Sequence, residues 1–249
     1  MMLIAPAKSF PAVAFLTFYL AWLSANLGIA GTFGLILPLI LARQLLKTTV
    51  ELTNFTEELL DLMVAAIEAR DPYTSGHSKR VAKGSTIIAR ALGLRPHEVE
   101  RVAVAALLHD VGKITTPESI LNKPGKLTPK EIEIMRNHTT AGAHIIESVP
   151  HLRPAKAYVL SHHERWDGTG YPQGLMGEDI PREGRLMAIV DVYDALTSDR
   201  PYHKGITPRE ALNFLQLGSG NHFDPHMVNI FIDIQIKKLQ AAENETSGR

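Results

Sequence analysis

Leu107-Leu108-His109-Asp110-Val111-Gly112-Lys113 decides how the rest of the chain is read: an apolar run ends in a histidine beside an aspartate, followed by a glycine and a lysine. An imidazole fills one position on one cation, whereas a carboxylate has two oxygens and can bridge two. An adjacent His-Asp pair at a helix end therefore suits a dinuclear metal centre. The pair alone occurs by chance in many proteins, so its meaning depends on what the chain places around it.

The 249 residues give room for one large domain plus an appendage. With 26 basic and 26 acidic residues the chain has no net charge to attract polymeric nucleic acid, although local clusters leave a small anionic ligand open. The absence of cysteine excludes disulfides, thiolate nucleophiles and cysteine-type zinc sites, so a metal must be held by histidine and carboxylate. Eleven histidines crowd the middle of the chain.

Beyond Asp71-Pro72, which should break or bend a preceding helix, helical periodicity and caps dominate and alternating strand patterns are scarce, so the domain is expected to be all-α. Helices are predicted over 77–92, 96–109, 129–138, 141–148, 154–163, 181–197, 208–217 and 225–242, several of them opened by proline, whose missing N–H costs nothing there. Two loops carry glycines: Lys123-Pro124-Gly125-Lys126, and Asp167-Gly168-Thr169-Gly170-Tyr171-Pro172-Gln173-Gly174. Residues 244–249 read as a frayed, disordered polar tail.

Upstream, no residue between Lys8 and Arg43 is charged, and 11–42 is dominated by Ala, Leu, Ile and Phe. About 20 apolar residues span a bilayer as a helix, so this run, long for one crossing and short for two, predicts transmembrane segment(s) within 1–44. Arg43 and Lys47 flank its far end, which places the downstream domain in the cytoplasm and the protein in the cell inner membrane. From 45 to 70 the chain reads as one connecting helix, with Leu52, Phe55, Leu59, Leu62 and Ala66 spaced alternately by three and four. That stripe fits either an ordinary core face or a parallel dimeric coiled coil, which would make the protein a homodimer.

After His109-Asp110 come His138, the run His162-His163-Glu164, and Asp191, each on or near a predicted helix. Imidazole and carboxylate without thiolate suit Fe or Mn, with Zn, Ni or Co also accepted, rather than Ca or Mg. Any one of these histidines has the commoner fate of a hydrogen-bonded core residue open to it. Four histidines and two aspartates in one domain strain that account.

Here the chain resembles the HD-GYP family of metal-dependent cyclic-dinucleotide phosphodiesterases, a subset of the HD superfamily, over roughly 68–231. The resemblance rests on Arg70-Asp71-Pro72-Tyr73-Thr74, Gly76-His77-Ser78, His109-Asp110, Gly112-Lys113 and Lys123-Pro124-Gly125-Lys126-Leu127. It continues through His162-His163-Glu164-Arg165, Asp167-Gly168, Gly170-Tyr171-Pro172, Asp191-Val192-Tyr193-Asp194-Ala195-Leu196, Arg200-Pro201-Tyr202 and Phe223-Asp224-Pro225. It implies an HD-superfamily helical domain over 71–243 that hydrolyses cyclic di-GMP to pGpG, or on to GMP, with a hydroxide activated by two divalent metal ions. His109, Asp110 and Asp191 would hold one metal; Asp110, His138, His162 and His163 would hold the second, with Asp110 as bridge. Lys113 would neutralise developing charge. Arg200 would bind substrate phosphate, Lys204 would replace a family lysine where His203 stands, and Tyr171 would shape the substrate pocket or dock a GGDEF-domain partner.

Family members with three metals carry a glutamate where Tyr73 stands, which leaves His77 either as a loose ligand or as a residue that supports one. Glu164 and Asp194 either orient imidazoles or, at Glu164, pair with Arg165 at the surface. Two other readings keep the same residues: a catalytically weak module that binds nucleotide or a GGDEF partner, and a hydrolase for another cyclic dinucleotide such as cyclic GMP-AMP.

Overall fold

The computed structural model describes residues 6–71, 76–199 and 204–247, and among them it is helical throughout, with a single isolated bridge between Ser219 and Phe223 in place of any sheet. Helix α1 (Pro6–Glu68) is followed by α2 (His77–Ala91), α3 (Pro96–Leu107), α4 (Glu118–Leu121), α5 (Pro129–Arg136) and α6 (His138–Ser148). Then come α7 (Lys156–Ser161), α8 (Arg182–Thr197), α9 (Pro208–Leu217) and α10 (Pro225–Ser247), with short 3-10 turns at Val111–Thr115, Arg153–Ala155 and Gly177–Asp179. The chain divides into two units, 1–61 and 62–249.

In the first unit α1 is interrupted at Gly28, whose φ of 61° and ψ of −161° suit only glycine, so the apolar run is divided between two helical stretches. Phe15, Tyr19 and Trp22 stack in succession along this helix. Many side chains between 10 and 35 lie outside the described residues. Among the described residues no helix is long and apolar enough to cross a membrane, so the crossing expected within 1–44, and the inner-membrane placement drawn from it, are not supported. Leu52, Phe55 and Leu59 stand exposed on the same helix.

In the second unit the helices order themselves around α8. Its residues Leu186, Met187, Ala188, Ile189 and Val190 are buried in succession, which marks a helix covered on every side. Helices α2, α7, α9 and α10 pack around it, and α3 lies across α2. Val81, Ile88, Val102, Ala105, Ile146, Val159, Leu215, Val228 and Phe231 fill the space between them.

Two boundaries differ from the sequence expectation in ways that matter. His138 does not close the helix that begins at Pro129. Asn137, with φ −63° and ψ −13°, ends α5 and starts α6, so His138 opens the next helix. The tail expected to be disordered from Asn244 continues α10 as far as Ser247.

Candidate metal centre

Three histidines are set by one repeated device. His109 donates Nδ1–H to the carbonyl of Ala106 at 2.7 Å, His138 to Met135 at 2.7 Å and His162 to Val159 at 2.6 Å, each three residues back at a helix terminus. A carbonyl only accepts, so the proton sits on Nδ1 and each ring turns an Nε2 lone pair inward. All three are almost fully buried. Burial, followed by the neighbouring histidines, pulls His162 well below the ordinary histidine range, and burial pulls His138 down against the opposing charge of Asp110. Burial also pulls His163 down to about 4, so these imidazoles are poised as neutral ligands.

Asp110 and Asp191 enter the same space from the turn after α3 and from α8. Asp110 turns its two oxygens to different sides: Oδ1 lies 3.5 Å from His138 Nε2, and Oδ2 lies 3.4 Å from His109 Nε2. Burial works against its charge, but Lys113, His109 and His138 hold its carboxyl well below the usual range. Asp191 likewise stays ionised despite burial, through His77 and His109.

The donor atoms converge in three sets within 4.8 Å: His138, His162 and His163; His77, His109 and Asp191; and His109, Asp110 and His162. The Nε2 atoms of His138 and His162 face one another at 3.4 Å. Both carry lone pairs, so they repel unless a cation or proton lies between. Two nitrogens each about 2.1 Å from one cation stand roughly 3.0–3.4 Å apart at tetrahedral or octahedral angles, so the spacing fits a metal. The residues present therefore suit a divalent cation at each end of Asp110.

His77, left open by the sequence, lies inside this cluster. Its Nε2 is 3.2 Å from Asp191, and its Nδ1 is 2.7 Å from Asp194, which also takes Arg80 Nε at 2.6 Å. Burial opposes its charge, but Asp191 and Asp194 outweigh it and push His77 up to about 9. Asp194 thus does orient an imidazole. Tyr73 lies outside the described residues.

Glu164 takes neither role suggested for it. Its side chain is 2% exposed and accepts the backbone N–H groups of Gln173 at 2.7 Å and Leu175 at 3.1 Å, while Arg165 pairs with Asp167 instead. It anchors the glycine loop. A Cβ on Gly170 would land on the Arg165 backbone nitrogen, so the loop lies flush on the strand of chain that follows His163. Tyr171 consequently stacks on His163, with centroids 4.9 Å apart.

Lys113 is not an exposed helix-end lysine. Its Nζ sits 2.7 Å from Asp110 Oδ2 and 3.3 Å from Asp71, and these carboxylates raise its pKa against burial. Arg200 and His203 lie outside the described residues, and Lys204 is exposed. The structure also brings in three side chains that carried no role in the sequence: Asp71 on Lys113, Arg80 on Asp194, and Arg136 over the Tyr171 ring. Asp71 sits within a motif and Arg80 one turn from His77, but nothing in sequence spacing singles out Arg136.

The sequence matches the HD domain family over residues 61–227, and the chain belongs to that family. It is 40% identical over 194 residues to the cyclic di-GMP phosphodiesterase response regulator RpfG of Xanthomonas campestris, covering 77% of this chain and 51% of that protein. It is 39% identical over 186 residues to the 3'3'-cGAMP-specific phosphodiesterase 2 of Vibrio cholerae, covering 74% of this chain and 36% of that one. The chain thus spans about half, or less, of the length of these relatives. Among solved structures it resembles the cyclic GMP-AMP-specific phosphodiesterase V-cGAP3 of V. cholerae, with a TM-score of 0.54 and 22% identity over 72% of this chain and 49% of that one. That likeness is one of fold.

Proposed function

We infer that this chain is a phosphodiesterase of the HD-GYP subset, hydrolysing cyclic di-GMP to pGpG, or on to GMP, with two divalent cations. The observation that carries the reading is Asp110, whose two oxygens face different histidines and so suit a carboxylate shared between two ions. His138, His162 and His163 would hold one cation, and His109, Asp191 and His77 the other. When bound, such a pair lowers the pKa of a water molecule and withdraws charge from phosphoryl oxygens.

The protein's own groups supply the rest. The three backbone-locked histidines keep their Nε2 lone pairs aimed inward, so little reorganisation is needed to hold cations. Lys113, steadied by Asp71, places a fixed positive charge beside Asp110, where negative charge would grow on the substrate. Histidine and carboxylate without thiolate favour Fe or Mn, with Zn, Ni or Co also accepted.

The named activity of the V. cholerae relative supports a second reading, in which cyclic GMP-AMP is the preferred substrate. Hydrolysis rates of the two cyclic dinucleotides, measured side by side, decide between them. Loss of hydrolysis in Asp110→Asn is expected on either reading, and a variant as active as the parent would refute both. For partners, the exposed seam of Leu52, Phe55 and Leu59 supports a homodimer through the connecting helix, which sedimentation tests. The Asp167–Gly174 loop is the surface on which a GGDEF domain would dock, and binding by an isolated GGDEF domain tests that.

A further inference from the structure

Arg136 stands at the end of α5, two residues before His138, with its guanidinium carbon 4.8 Å from the centre of the Tyr171 ring. That ring in turn stacks on His163, with 30° between the planes. From the candidate metal centre outward the order is therefore His163, Tyr171, Arg136. Tyr171 thus touches both an imidazole of the candidate metal centre and the Arg136 cation.

The platform beneath Arg136 is rigid. The Tyr171 N–H donates to the His163 carbonyl at 3.2 Å, and Glu164 fixes the backbone of Gln173 and Leu175. Arg136 itself is exposed, and among the described residues its guanidinium makes no hydrogen bond or ion pair. A guanidinium held over a ring keeps its N–H donors at its rim, in the forked arrangement that matches two oxygens of one phosphate. Among the described residues this leaves an unpaired cation one ring removed from His163, close enough to the candidate metal centre to serve a substrate whose first phosphate would lie there. A cyclic dinucleotide carries a second phosphate at the same time as the first.

We propose that Arg136 is a substrate-binding residue that holds the phosphate not being cleaved, with Tyr171 as its positioning residue. The proposal rests on the phosphodiesterase reading above. A phosphate contact is blind to the base, so it acts equally on cyclic di-GMP and cyclic GMP-AMP.

In the metal-loaded full chain, Arg136→Ala is expected to raise KM for both substrates by about tenfold or more, the worth of a charge-assisted hydrogen bond. Metal content and melting temperature stay at the parent values. Arg136→Lys, which keeps the charge and loses the fork, falls between. Tyr171→Leu, which removes the platform, reproduces part of the rise. Raising ionic strength weakens the parent more than Arg136→Ala. An unchanged KM, a loss confined to one of the two substrates, or a loss that follows metal content instead of KM overturns the proposal. A parent chain that neither binds nor hydrolyses either cyclic dinucleotide overturns the phosphodiesterase reading itself and this proposal with it.

Discussion

Replacing Gly112 by alanine tests how the candidate metal centre is assembled. Gly112 lies in the 3-10 turn between Asp110 and Lys113, pressed against the first turns of α6. A Cβ built there lands on the His138 carbonyl oxygen, 2.8 Å from the His138 carbonyl carbon and 2.5 Å from the Gly142 nitrogen. These are backbone atoms of a packed helix, with no flexible side-chain end to swing away. Restoring ordinary contact requires the turn to recede by about 1 Å or more, a strain worth roughly 1–3 kcal/mol in a packed interior. Asp110 moves with the turn while His138 stays with α6, so their present 3.5 Å separation widens toward roughly 4.5 Å, beyond what two ligands on one cation allow. Gly112→Ala should therefore melt several degrees lower and lose metal from the His138 side, read by elemental analysis after desalting, with hydrolysis falling in proportion. A variant that keeps two metals per chain at the parent melting temperature would refute this account of the turn.

Other outcomes follow from the same geometry. Asp110→Asn keeps the shape but removes the shared charge, so metal affinity should drop at least 100-fold while Lys113 keeps Asp71; retention of both metals on dialysis would count against the bridge. In chelator-treated protein, His77 at about 9 against an ordinary 6.5 adds stability that is fully present below pH 6.5 and lost as pH rises through 9. That difference corresponds to about 3 kcal/mol, so His77→Gln should flatten the decline between those limits, and a parallel decline in both proteins would discount the pair with Asp191 and Asp194. Glu164→Gln weakens the hold on Gln173 and Leu175 and should cost about 1–3 kcal/mol, with faster amide exchange in the 168–175 loop; unchanged exchange would refute its anchoring role.

Much of the fold is legible in the sequence because its signals are local. Proline at helix starts, glycine at their ends and periodic apolar residues mark helices at Pro96, Pro208 and Pro225, and the structure places helices there. The boundary at His138 is less legible, since a continuous polar run gives no sign that Asn137 both ends one helix and starts the next. The apolar run before Arg43 is equally plain in composition, and Asn26, Gly28, Gly31 and Gly34 mark where it could turn, but that the break falls at Gly28 depends on a backbone conformation that composition does not report.

The sequence by itself determined the chemistry available: histidine and carboxylate in the absence of any thiol, with His109, Asp110, His162, His163 and Asp191 in motifs whose order is distinctive. Tertiary structure alone decided how each group is used. Asp110 faces two ways because its turn lies between α3 and α6, His77 joins the cluster because Asp194 on α8 grips its far nitrogen, and Glu164 turns from the histidines to hold a loop. Sequence spacing sets which residues share a helix face. Direction and distance between groups tens of residues apart arise only when the helices pack, and metal ligation and phosphate binding depend on those two quantities.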